Sequence, residues 1–141
     1  ESPLIYVSVL LLNIFEFSSG IVYNKGRRGE SQVKRLFVMT AGFEKSWEHM
    51  GLGDEELREL QNVLLENPDA GDVIPDLAGA RKIRIPLTGR GKSGGGRVIY
   101  VDVVVKEQIF LLLAYPKNVQ TDMNPAQKKI IRNLIETIKE A

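Results

Sequence analysis

Apolar and polar positions along the chain fall into patterns that define most of its elements. Between Lys34 and Met39 the run KRLFVM reads as a short strand, and Phe43 to His49 reads as a short helix with Phe43 and Trp47 four apart on one face. The stretch GLGDEELRELQNVLLENP predicts the clearest helix. Asp54 is placed to cap it, acids crowd its first turn, and Leu57, Leu60 and Leu64 recur at helical spacing until Asn67-Pro68 ends it. Arg81 to Ile85 then alternates cation and apolar residue. In a strand this sets Lys82 and Arg84 on one face and Ile83 and Ile85 on the other. Arg97 to Val105 and Gln108 to Tyr115 are rich in branched and aromatic residues and read as an antiparallel hairpin closed at Lys106-Glu107. Asn124-Pro125 opens a last helix with a broad apolar stripe of Ile130, Ile131, Leu134, Ile135 and Ile138. The predicted order is β-α-α-β-β-β-α, an α+β fold with a small, mostly antiparallel sheet packed by helices.

The first thirty-two residues fit this scheme poorly. Pro3 to Phe15 is apolar, but Asn13 and Glu16 interrupt the segment and it falls short of the roughly twenty residues that span a bilayer. No basic start or small-residue cleavage site marks a signal peptide. Residues 1–32 are therefore expected to be an N-terminal extension. One reading makes them a translated leader, with Arg27-Arg28 encoded as a ribosome-binding sequence and Val33 as a GTG start. Residues 33–141 form the expected domain.

At 141 residues and 43% apolar composition, the chain suffices for one domain with a real core. It has no cysteine and one histidine, which excludes disulfides, zinc-thiolate sites, thiol nucleophiles and a histidine metal cluster. His49 follows an acidic helix, far in sequence from the basic segment, and is not expected to be a catalyst.

Charge sharpens the picture. From Glu44 to Asp76 ten acids face only Lys45 and Arg58, whereas from Arg81 to Arg97 there are six cations and no acid. The net charge of +1 thus conceals a two-faced molecule with a local site for a polyanion. The basic segment includes GRGKSGGGRVIY (residues 89–100). Gly91-Lys92-Ser93 matches the end of a nucleotide-cradling loop, but Pro86 stands where that motif needs its first glycine and a strand, not a helix, follows. The glycines suit a hairpin connection, and the cations suit either anion binding or a basic sheet edge that resists aggregation.

The runs NPDAGDVIP, ARKIR, GRGKSGGGRVIY and IFLLLAYPKN, followed by a terminal helix, resemble the RelE/HigB superfamily of bacterial type II toxin–antitoxin toxins, in particular its HigB-like branch. The likeness covers Val33 to Ala141. It implies a ribosome-dependent endoribonuclease that cuts mRNA in the 30S A site without metal or cofactor, held inactive in the cytoplasm by a cognate antitoxin, expected to be a helix-turn-helix protein. By the same resemblance, Lys82, Arg84, Arg97 and Lys117 are candidate catalytic residues, and Arg81, Arg90, Lys92 and Tyr115 candidate RNA-binding residues. Arginine suits the phosphate because its fork pairs with two oxygens and keeps its charge, and Arg97, at the start of the RVIY strand, is the one expected to contact the scissile phosphate. Lys82 lies among cations and is the first candidate for the base that takes the 2′-hydroxyl proton, with Lys117 second. Tyr100 reads as core. A second function class remains open, a non-cleaving RNA- or ribosome-binding module.

Overall fold

The computed structural model describes residues 17–24, 33–87 and 95–140. Its sheet has six strands: β1 (Phe17–Asn24), β2 (Val33–Thr40), β3 (Asp72–Val73), β4 (Arg81–Ile85), β5 (Gly96–Val103) and β6 (Gln108–Pro116). Across the sheet they run β1-β2-β6-β5-β4-β3, antiparallel at every pairing except β2 with β6. Three helices complete the fold: α1 (Ala41–His49), α2 (Asp54–Glu66) and α3 (Pro125–Glu140). The α+β class and the mostly antiparallel sheet agree with the sequence reading.

Alternation along the strands divides the core into two layers. On one face Phe37, Val98, Tyr100, Ile109 and Leu111 pack with Phe43 and Trp47 of α1 and Leu60, Leu64 and Leu65 of α2. On the other, Val38, Ile99, Val101, Phe110 and Leu112 pack with Ile131, Leu134, Ile135 and Ile138 of α3. The sheet is therefore sandwiched between helices, which explains why β5 and β6 read as nearly continuous apolar runs rather than as alternating ones. The Phe43 and Trp47 rings stack at 5.2 Å, as their four-residue spacing predicts.

Helix ends follow local chemistry. The Thr40 hydroxyl accepts from the Phe43 N–H and starts α1 two residues earlier than its apolar residues indicate. For α2 the cap is Gly53 rather than Asp54, and Glu56 reaches back to accept from the Gly53 N–H at 2.7 Å. Asn124 and Gln127 exchange two such bonds, 2.8 and 2.9 Å, at the start of α3.

Three details differ from expectation. β1 lies inside the segment set apart as an extension and pairs with β2 over eight residues. The two-residue β3 adds to the edge of β4. β5 ends at Val103, where Val104–Lys106 form a single 3-10 turn and Glu107 takes a left-handed conformation, so the hairpin is looser than a two-residue turn. Among the described residues, no helix is long and apolar enough to cross a membrane.

Candidate functional site

The basic residues of β4 and β5 are arranged by strand register. Arg84 stands opposite Arg97, and Arg97 stands opposite Tyr115. Directly paired residues share a face, so Arg84, Arg97 and Tyr115 form a row across three strands. Lys82 pairs with Ile99, whose side chain belongs to the α3 layer, and so joins the same face two residues along β4. The row therefore looks out on the α3 side of the sheet. Lys117 follows the end of β6, and its N–H donates to the Gly95 carbonyl at 3.0 Å, which ties it to the base of the glycine-rich segment. Gly95 itself has φ +53, and a Cβ there would run into the Ile85 carbonyl oxygen, so only glycine fits.

Exposure grades the row. Arg84 and Lys117 are exposed, Lys82 is half-buried, and Arg97 is buried at 7%. The Arg97 Nη1 donates to the Gly96 carbonyl at 2.9 Å, so this guanidinium meets a ligand with only a small part of its surface. Tyr115 is 4% exposed, and its hydroxyl has no hydrogen-bond partner among the described residues. Burial pushes the Tyr115 phenol up from its ordinary pKa, the Asp122 carboxylate pushes the same way, and Arg97 opposes both.

Arg81 lies on the opposite face. It stands opposite Tyr100, its Nη1 donates to the carbonyls of Asp69 and Gly71 at 3.3 and 2.8 Å, and its Nη2 is 3.4 Å from the Asp69 carboxylate. There it clamps the loop between α2 and β3. Tyr100 assists, accepting from the Gly71 N–H and donating to the Pro68 carbonyl, and is fully buried as expected. His49 is exposed at the end of α1. Arg90 and Lys92 lie outside the described residues.

Sequence reasoning passed over Asp122. Its carboxylate is 3.7 Å from Lys82 Nζ and 3.4 Å from Lys128 Nζ, and it accepts from the Met123 N–H at 2.8 Å. Burial alone would raise its pKa. The Met123 N–H, Lys82 and Lys128 outweigh that and hold it below the usual carboxylate value. The only sequence signal was an acid in the connection between Tyr115 and the Asn124 cap, a place where turn chemistry is the common explanation.

Such a row can neutralise a phosphodiester along one line, with a phenol and lysines beside it. Among the described residues, no group of three or more histidine, cysteine, aspartate or glutamate side chains is placed to hold a metal ion. The family model of the RelE toxin of the RelE/RelB toxin–antitoxin system matches residues 34–141. The chain belongs to the RelE toxin family. Its match spans β2 through α3, and so contains every member of the basic row. The chain is also similar to a mutant of the E. coli toxin RelE solved in the free state, at 20% identity and a TM-score of 0.37, covering 55% of this chain and 81% of that one. Short stretches resemble the cation channel sperm-associated auxiliary subunit beta. The human protein is 67% identical over 43 residues and the mouse protein 67% over 27, covering 30% and 19% of this chain. The chain spans only 4% and 2% of the length of these two curated relatives.

Proposed function

We propose that this toxin is a metal-independent endoribonuclease of the HigB-like branch that cuts mRNA in the 30S A site of the ribosome, with residues 33–141 as the toxin domain and residues 1–32 as an extension to it. The observation that supports this most is the shared face of Lys82, Arg84, Arg97 and Tyr115, fixed by the β4-β5-β6 register. In the reaction the 2′-oxygen loses its proton, attacks the adjacent phosphorus and displaces the 5′-oxygen, which takes up a proton. A cyclic 2′,3′-phosphate and a free 5′-hydroxyl result.

Charge builds up on the phosphoryl oxygens in that transition state, and arginines already in place stabilise it without reorganising. Arg84, exposed, grips the phosphate, and Arg97 behind it supplies a second positive charge. Lys82 and Lys117 carry the proton-transfer roles, Tyr115 backs the row, and Arg90 and Lys92 extend the contact to the RNA backbone, while Arg81 on the opposite face stays with the loop it clamps. A cognate antitoxin of the helix-turn-helix type holds the toxin inactive in the cytoplasm.

A second reading, a non-cleaving RNA- or ribosome-binding module, draws on the ion pair between Lys82 and Asp122 and on the burial of Arg97. Incubating the purified chain with programmed ribosomes and mapping 5′-hydroxyl ends on the mRNA separates the two. Cleavage that falls by about a hundredfold in Arg84→Ala and in Arg97→Ala is expected, the scale seen when one transition-state donor is removed. Binding with no new 5′ ends would establish the second reading.

A further inference from the structure

The face away from the basic row carries a groove that shares only Arg84, at its rim, with that row. It lies between α2 and the outer edge of β4, encloses about 250 Å³, and has apolar walls that include Trp47, Val63, Ile83 and Ile85. Glu56 and Glu59 stand on its α2 side. Val63 is 47% exposed, a large apolar side chain left in water beside an apolar hollow.

The other wall offers backbone. In an antiparallel ladder the N–H and C=O of one residue point to the same side, and that side alternates along the strand. Ile74 donates to the Ala80 carbonyl on the outer side of β4, so the Lys82 backbone also points outward, towards β3, and the Arg84 backbone points outward beyond it. β3 pairs only with Lys82 and Arg81. Among the described residues no strand covers Arg84, and Pro86 then ends the edge.

An apolar hollow, one uncovered backbone donor and acceptor pair, and two carboxylates thus converge. A ribose-phosphate chain matches the arrangement badly, because Asp54, Glu55 and Glu56 fill the first turn of α2 and repel phosphate. A peptide backbone matches it well. We propose that this groove docks an extended segment of a partner protein, with one bulky apolar side chain in the hollow, a lysine or arginine facing Glu59 and Glu56, and its main chain bonded to Arg84. Pairing is confined to that residue, so side-chain burial and charge supply most of the selectivity.

The inference does not depend on RNA cleavage, and it is tested without it. The 15N-labelled full chain is titrated with a blocked peptide of alternating leucine and lysine. Shifts at the amides of Ile83, Arg84, Ile85 and the Leu60–Leu64 turn are expected, with binding at least about tenfold weaker for the leucine–glutamate peptide and for each of the surface variants Val63→Lys and Glu59→Lys. Shifts centred elsewhere, equal binding of the two peptides, or undiminished binding by both variants would overturn the proposal. So would preferential perturbation of the Leu60–Leu64 amides by an RNA oligonucleotide, since those lie away from the basic row.

Discussion

Asp122 sets the state in which Lys82 waits for a ligand. A phosphate arriving at the row has to compete with a carboxylate already 3.7 Å from the ammonium and shared with Lys128. The carboxylate also leaves a titration signature. Its folded pKa lies below the ordinary value because the Met123 N–H and the two lysines outweigh the effect of burial. A depressed carboxylate contributes stability above its unfolded pKa and loses it as pH falls through the folded one. Asp122→Asn should therefore lower the urea midpoint slightly at pH 7, and the gap should narrow as pH falls below about 4, the ordinary carboxylate range, and on through the depressed folded pKa. Near half exposure keeps the effect small. The same substitution releases Lys82, so RNA binding should tighten while stability drops, and matched denaturation and anisotropy measurements would show both. A variant that loses stability equally at pH 7 and pH 3 would contradict the assignment.

At the scale of elements, the loop between α2 and β3 is held by β4 and β5 rather than by its own turns. The Tyr100 hydroxyl makes bonds of 2.6 Å to the Pro68 carbonyl and 2.9 Å from the Gly71 N–H, and Gly71 has no room for a side chain, since a Cβ would lie 2.9 Å from the Lys82 carbonyl oxygen. Tyr100→Phe leaves a buried N–H and a part-buried carbonyl without that partner, so thermal or urea unfolding should report a loss of about 1–3 kcal/mol. RNA cleavage should change far less, because the hydroxyl lies on the face opposite the basic row. Much of this architecture was legible in the sequence where the cause is local. The two-residue period of RKIR places Lys82 and Arg84 together, and the same period, applied strictly, sends Arg81 to the other side, as the register does. Leu60 and Leu64 bury as their spacing requires. The parallel pairing of β2 with β6, the β1 strand and the two-residue β3 depend on partners far along the chain, and no local pattern encodes them. Asp122 was illegible for the same reason, since its meeting with Lys82 joins residues forty apart through the packing of α3 on the sheet.

For the whole molecule, the sheet acts as a divider between two electrical environments. The acids of α1 and α2 lie on one side and the row of Lys82, Arg84 and Arg97 on the other, so a polyanion is drawn to one face and repelled from its opposite. This separation makes the salt dependence of RNA binding diagnostic. Single-stranded nucleic acid releases counterions in proportion to the phosphates neutralised, with a slope of about 0.7 per contact in a plot of log affinity against log salt. The three cations of the row contribute about −2 to that slope, measurable by anisotropy with a short labelled RNA. Arg84→Ala should cut its magnitude by about 0.7, whereas Arg81→Ala should leave the slope unchanged even though it loosens the loop at Asp69 and Gly71. Equal losses in the two variants would mean that RNA meets both faces, and a flat salt response would mean that the row is not where RNA binds.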